Sequence, residues 1–474
     1  MSDPADLGVV EAAGLLARRE LSSSELVGAC LARIRDRDGV HSHDGDPSSI
    51  NAWVRVYEAD AIAAAAAADQ RLSEGAAPVL CGVPIGLKDL YAVAGKPLTA
   101  SSRLLDELPT QDCDVWGRLR DAGMVLLGHL HTHEFAAGGT TDQVGSPWSL
   151  ERSAGGSSGG SAAALAASMV PAATGTETAG SLRIPSALSG ISAIKPTRGL
   201  VSMAGIVPLA PSLDHAGPMA RTLEDCAALL GAMAGPDRGR PSTALHADPP
   251  LPVAIRRGPH PLAGVRLVLS PRAELVSVDP DVGDGFDAAL HACRQLGAVV
   301  VDAPPPKGSL DVLDDFLSVL TSEVLAYHRR FDARRELYRS STREWVEEGE
   351  RRAVTAEAYI ALQVARRSLT ATWMDWFTAE RISAIVEPTV PVVAPLRGDG
   401  YDHAGTDIAL ISLTHYWDWT GFPAVALPAG VGSRSGLPVG VSLIGAAGTD
   451  WELLSIGSVL QRELGVPEPD LSRR

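Results

Sequence analysis

Serine becomes a nucleophile only when a neighbouring group takes its proton, and two serines of this chain sit in turns suited to that event. The glycine-rich stretches GGSSGGS and TETAGSLRIPS hold Ser157 and Ser181, 24 positions apart. Upstream, GVPIGLKDL carries Lys88, and a lysine withdrawn from water sheds its charge and can accept a proton near neutrality. Of 41 basic residues only four are lysines, namely Lys88, Lys96, Lys195 and Lys307, so arginine is the default cation. Arginine keeps its proton in a protein, which singles out a lysine in a glycine-flanked apolar turn as a candidate base. Glycines around Ser157 and before Ser181 let the backbone approach a substrate and aim N–H groups at it. An activated nucleophile, oxyanion donors and an acid for a leaving amine are what amide cleavage demands.

Competing chemistries are weaker. GGSSGGSAAA has no lysine at the Walker position and no GxGxxG spacing, which ranks a phosphate cradle well below a hydrolase. Two serine-rich surface loops would account for the turns but not for the length of the pattern or for Lys88. His129, His131 and His133 alternate in GHLHTHEFA, yet a metal would need a further ligand from elsewhere, so no metal site is expected. His215 beside Asp214 imitates part of a Ser-His-Asp set and reads instead as a satisfied turn histidine. Ser158 is expected to order its turn, Lys195 to tie a loop, and Asp89 to be a solvated or capping carboxylate.

The elements that must position these residues read as α/β. Ser22 and Glu25 are spaced as a capping box before LVGACLARI, and AIAAAAAADQRL continues a helical opening third. VLCGVPIGLKDL predicts a buried strand running into a turn, and MVLLGHLHTHEFA a second with a polar exit loop. After GGSSGGS, AAALAASMV predicts a helix of small residues whose N-terminal amides face the serine turn. Proline, glycine and charge from 235 to 262 read as a surface excursion. Helices are expected around 310–331 and 356–380, then strands in AIVEPTVPVVAP, FPAVALPAG and LPVGVSLIG.

These blocks carry a resemblance. GVPIGLKDL, GGSSGGSAAALAA, GTETAGSLRIPSALSG and IKPTRGLVS, in that order and spacing, resemble the amidase signature family, and HEFA, SLDHAGPMARTLEDCA and FPAVALPAGVGSRSGLPVGVSLIG extend the likeness over nearly the whole chain. The resemblance implies an α/β fold with a central mixed, twisted sheet surrounded by helices, as one domain over 1–474. Within it, 1–75 would be a helical cover, 76–235 the signature core, and 236–474 the part shaping the substrate pocket. It implies Ser181 as acyl nucleophile, Ser157 as the bridging serine in a cis peptide with Gly156, and Lys88 as the base. The amides of Thr178, Ala179, Gly180 and Ser181 would form the oxyanion hole, with Gly156, Ser158, Glu177 and Arg183 in support. No metal or organic cofactor is implied.

Three positions depart from the family pattern: Glu177 for aspartate, and Ala179 and Ala193 for glycine. Were φ positive at 179, alanine there would cost about 1 kcal/mol. Glu177 is one methylene longer than aspartate and still long enough to pair with Arg183. The stretch HYWDWTG precedes a family block where relatives shape the acyl pocket, so Tyr416, Trp417 and Trp419, with His133, are expected to line it and favour an apolar or aromatic substrate; Trp373 and Trp376, at helical spacing, are expected in the core.

Totals bound the partners. A net charge of -16 argues against nucleic acid or an anionic membrane surface, and no window offers the run of about 18 apolar residues that a membrane span needs. Five separated cysteines without a CxxC pair suggest neither disulfides nor zinc and fit a cytoplasmic protein. The expectation is a stand-alone amide hydrolase acting on a small carboxamide or N-acyl compound through an acyl-enzyme, its partner a small-molecule amide, with a homodimer left open. The alternatives are the A subunit of a glutamine-dependent tRNA amidotransferase, an aryl acylamidase or esterase with the same residues, and a degenerate member kept for binding.

Overall fold

The computed structural model describes residues 3–75, 77–237, 255–308, 310–398 and 405–471. Most of the expected excursion at 235–262 lies outside the described residues.

The described residues form thirteen strands: β1 Trp53–Val56, β2 Pro84–Lys88, β3 Val125–Leu130, β4 Gly145–Ser146, β5 Ser149–Ser153, β6 Ala172–Glu177, β7 Ser192–Lys195, β8 His215–Ala220, β9 Arg266–Leu269, β10 Val299–Val301, β11 Ala384–Pro388, β12 Ala424–Val431 and β13 Pro438–Ile444. Eleven of them make one mixed sheet in the order β1-β3-β2-β6-β8-β7-β12-β13-β11-β9-β10, while β4 and β5 pair separately. β2 runs parallel to β3 and β6, and the centre from β6 to β13 is antiparallel. Strands β2, β6, β7, β8 and β13 are buried along their whole length, PIGLK in β2 and AATGTE in β6 among them, because helices cover both faces. The sheet is therefore an interior in which a polar side chain must find a protein partner.

The helices are α1 Val9–Ala17, α2 Ser23–Arg37, α3 Glu58–Glu74, α4 Asp114–Asp121, α5 Gly159–Ala166, α6 Arg183–Ser189, α7 Leu223–Met233, α8 Pro280–Gln295, α9 Leu313–His328, α10 Ser340–Arg352 and α11 Ala356–Glu380, followed by shorter segments and a last helix Asp450–Leu464. The capping box at α2 is made in both directions, Ser22 Oγ accepting from Glu25 N at 3.1 Å and Glu25 accepting from Ser22 N at 2.9 Å. α5 is buried at every position, which its Gly, Ser and Ala side chains permit. Trp373 and Trp376 pack edge to face in the core, ring centroids 5.1 Å apart. All five cysteines are buried and free. Among the described residues no helix is long and apolar enough to cross a membrane.

Candidate active site

Strand β2 ends on Lys88, so the regular geometry of a buried strand carries an amine into the protein interior, where it is 0% exposed. Its Nζ lies 2.8 Å from Ser157 Oγ, 2.9 Å from Ser158 Oγ and 2.9 Å from Thr176 Oγ1. All three partners are hydroxyls, and none is a carboxylate. Burial drives the amine well below its ordinary pKa of 10.5, and the negative charges of Asp214 and Glu177, which act the other way, do not reverse it. A neutral amine has two N–H donors and one lone pair. Ser158 Oγ points its own proton at the Thr176 carbonyl (3.4 Å), leaving Ser158 to accept from Nζ. Ser157 Oγ has no other hydrogen-bond partner among the described residues, so its proton can go to that lone pair.

Ser157 is held from its backbone. The Gly156–Ser157 peptide is cis, and the Ser157 carbonyl accepts from His133 N at 2.9 Å and Thr141 Oγ1 at 3.0 Å. Gly156 is pressed against the Thr140 carbonyl so closely that a Cβ would not fit. Ser158 then starts α5, so the serine turn sits at a helix N-terminus.

Ser181 follows β6 on the loop that enters α6. Glu177, the last residue of β6, accepts from Leu182 N (2.8 Å), Arg183 N (3.0 Å) and Arg183 Nε (2.6 Å), thus tying both ends of the loop together. Arg183 Nη2 reaches on to Asp418 Oδ2 (2.9 Å) and the Thr414 carbonyl (2.9 Å), and Thr414 Oγ1 donates to the Ala179 carbonyl. Thr178 Oγ1 donates to Asp214 Oδ1 at 2.6 Å, and Asp214 also accepts from Leu209 N and Ala210 N. Burial raises the Asp214 carboxyl to about 6 and lifts that of Asp418 well above the usual carboxylate range, Glu177 adding repulsion to the latter. The Ala179 carbonyl of the loop is thus engaged, whereas the N–H groups of Thr178, Ala179, Gly180 and Ser181 find no protein acceptor among the described residues. Unclaimed amides beside a serine hydroxyl are what an oxyanion needs. Positive φ falls on Gly180 (139°) and not on Ala179, so the alanine carries no backbone penalty.

Ser181, 6% exposed, opens on a pocket. It is lined by the turn Ala136–Gly139, the loop residues Thr178 and Ala179, and Ile184, Leu209, Leu320, Val324, Trp345 and Ile411. No charged side chain is in this lining.

Four residues expected in the pocket are elsewhere. Tyr416, Trp417 and Trp419 lie in the helix His415–Thr420 and are buried in the core: Tyr416 accepts from Trp373 Nε1 (2.8 Å), Trp417 Nε1 donates to Glu387 (2.6 Å), and Trp419 packs edge-on against Phe316. Their helix contributes Asp418 to the Arg183 cluster instead. His133 is also buried, its ring between the Thr140 carbonyl (3.0 Å) and Ser341 Oγ (3.1 Å), and burial lowers its pKa to about 3. His129 pairs with Tyr57 (2.7 Å) and His131 with Ser101 (3.1 Å), and no group of metal-ligand side chains occurs among the described residues. His215 is a strand residue rather than a turn residue, and its ring lies beside Lys195 Nζ (3.4 Å) and Asp418 (3.5 Å). Asp89 is buried, not solvated, and from the turn after β2 its carboxylate caps the turn at 99–101 by accepting from Thr99 N and Ser101 N. Neither Thr176 nor Asp418 is singled out by the sequence. Thr176 lies one residue before Glu177 in GTETAGS, where strand alternation puts it on the opposite face from Glu177, a signal that could have found it.

With this geometry in hand, the comparisons are consistent. The family model Amidase matches residues 44–454, and the chain belongs to that family, the amidase-signature enzymes. The glutamyl-tRNA(Gln) amidotransferase A subunit of Roseiflexus castenholzii is 35% identical over 96% of this chain and 95% of its own length. Among solved structures, a 6-aminohexanoate cyclic dimer hydrolase (28% identical, TM-score 0.85) covers 100% of both chains. The peptide amidase of Stenotrophomonas maltophilia (28% identical, TM-score 0.81) covers 98% of this chain and 99% of its own.

Proposed function

We propose that this chain hydrolyses the carbon–nitrogen bond of a small carboxamide or N-acyl compound through an acyl-enzyme on Ser181. The observation that carries the reading is the buried Lys88 amine at 2.8 Å from Ser157, with its pKa driven down. Ser157 passes its proton to Lys88 and takes that of Ser181 as the Ser181 oxygen bonds to the substrate carbonyl. The oxyanion forms against the amides of residues 178–181. Ser157 then protonates the departing nitrogen as the C–N bond breaks and recovers a proton from Lys88; water attacks the acyl carbon as its proton passes to Ser157 and on to Lys88, and the returning proton goes to the Ser181 oxygen as the carboxylic acid leaves. The chemistry as written needs neither metal nor organic cofactor.

Glu177, Arg183, Ser158 and Gly156 act as positioning residues. Four lining residues, Leu320, Val324, Trp345 and Ile411, come from the segment after 235, which supports a division into signature core and pocket-shaping part.

A second reading, the glutamine-hydrolysing A subunit of a tRNA amidotransferase, is favoured by the 35% identity over nearly full length. Release of ammonia or amine from a panel of neutral amides and from glutamine tests both. Ser181→Ala is expected to lower turnover by roughly four orders of magnitude or more. Equal turnover by wild type and variant would exclude the proposed nucleophile. Glutamine cleavage that requires partner subunits and tRNA would select the second reading.

A further inference from the structure

We propose that the pocket beside Ser181 takes the acyl side of the substrate, admits neutral apolar acyl groups while rejecting charged ones, and that Trp345 sets the size of the acyl group it accepts. This rests on the reading of Ser181 as acyl nucleophile. The assignment of sides follows from the proton path: the leaving nitrogen must lie beside Ser157 to be protonated, and the pocket lining contains Ser181, Thr178 and Ala179 but not Ser157, Ser158 or Lys88. The carbonyl's other substituent is therefore the one that enters the pocket.

The walls decide which substituents are welcome. Ile184, Leu209, Leu320, Val324, Trp345 and Ile411 present hydrocarbon or indole surface. Thr178 has its hydroxyl turned away to Asp214 at 2.6 Å, and the Asp214 carboxylate is itself occupied by Thr178 and two backbone amides. A free ammonium or carboxylate entering here loses water and meets no counter-charge. Glutamine carries both.

Size selection needs a wall that does not yield. Leu320 and Val324 lie on α9 and Trp345 on α10, and this pair is fastened to the turn at 133–136 that leads into the lining residues Ala136–Gly139. The buried Glu134 carboxylate accepts from Arg339 N (2.8 Å) just before α10 and from Ser102 Oγ (2.6 Å), and His133 meets Ser341 of α10 at 3.1 Å. Phe135, at φ 51°, is buried with its ring 4.7 Å from that of His328, the last residue of α9, and 5.5 Å from that of Phe331 just beyond. Trp345 is the largest side chain of the lining, is partly exposed and packs at the edge of the core, so shortening it enlarges the pocket at its margin rather than at the centre of the core.

The test is kcat/KM for unbranched amides from acetamide to octanamide, and for glutamine, with wild type, Trp345→Ala and Leu320→Ala. Butyramide is glutamine stripped of its ammonium and carboxylate. For wild type, kcat/KM is expected to rise about fourfold per added methylene up to a limiting length and then fall. It is expected to favour butyramide over glutamine on the order of 100-fold or more. Trp345→Ala moves the limit to longer chains. Leu320→Ala, a change at an independent point of the wall, moves it in the same direction. An unchanged acyl profile in both variants, with hydrolysis still dependent on Ser181, overturns the inference and leaves the proposed activity standing. Glutamine cleaved as fast as butyramide overturns the exclusion of charge, and absence of any Ser181-dependent amide cleavage overturns inference and activity together.

Discussion

Two buried polar clusters flank the strand and loop that carry Ser181, and they are built on opposite principles. On one side Lys88 faces only hydroxyls, and burial without a paired carboxylate drives its charge off. On the other, Arg183 lies between Glu177 and Asp418 at 2.5 to 2.9 Å, a cation locked in place by two acids, with Asp418 also near His215. The group proposed to exchange a proton is surrounded by neutral hydroxyls. A group that must hold a loop is paired with opposite charge. The first cluster is suited to proton transfer and the second to fixing the 177–183 turn, even though both are equally removed from solvent.

Substitutions separate the two. Lys88→Met is expected to lower kcat by roughly a hundred- to ten-thousand-fold, the range of a lost general base, while the protein still folds. Arg183→Met removes the cation and strands Glu177 and Asp418 in the interior, which is expected to cost about 3 to 5 kcal/mol of stability in a denaturant titration. If Arg183→Met instead unfolds at the same denaturant concentration as wild type, the distinction between a chemical and a structural cluster collapses.

The pH dependence sharpens the same contrast. Because the folded-state pKa of Lys88 is depressed below 10.5, the unfolded chain binds more protons between the two values, and this group's contribution to stability increases as pH rises through that window. The stability of wild type relative to Lys88→Met should therefore climb with pH, and kcat/KM of wild type should rise as Lys88 loses its proton and then level off. Asp214 has the opposite sign: with its folded pKa raised to about 6 from 3.8, its contribution to stability is lost as pH rises across that interval. The effect is as large as about 3 kcal/mol, read as a falling difference in stability between wild type and Asp214→Asn from pH 4 to 7. The smallest effect belongs to Ala179→Gly. With φ at 179 outside the left-handed region, glycine relieves nothing there, and a change within about 1 kcal/mol in stability and a near-unchanged kcat are expected.

Much of this was legible in the chain. GVPIGLKDL announced a buried strand ending on a lysine, and β3, β11, β12 and β13 and the helices α9 and α11 fell where apolar runs put them, because those signals are local, whereas the central β6, β7 and β8, rich in Gly, Ala, Ser and Thr, were read as turns and loops or passed over. The Glu177–Arg183 pair was visible for the same reason, being six residues apart across one turn. The pocket was not. Its far wall comes from Leu320, Val324, Trp345 and Ile411, which are remote in sequence from Ser181, and no local pattern says which apolar residue of a helix faces a cavity and which faces the core. Tyr416, Trp417 and Trp419 were expected in that wall by proximity to a family block. Three large aromatics in one short helix supply too much apolar area to leave beside solvent, and the fold buries them against Phe316, Trp373 and Glu387. His133 was misplaced for a related reason: its neighbours on the turn line the pocket while its own ring turns inward to Thr140 and Ser341.

Labelling with a serine-directed fluorophosphonate, followed by peptide mass analysis, tests most directly whether the uncharged Lys88 amine activates Ser181. In wild type at neutral pH the adduct is expected on the peptide containing Ser181, and in folded Lys88→Met protein it is expected to be lost. An adduct on a different serine, or labelling of Ser181 at the same rate in Lys88→Met as in wild type, would contradict it.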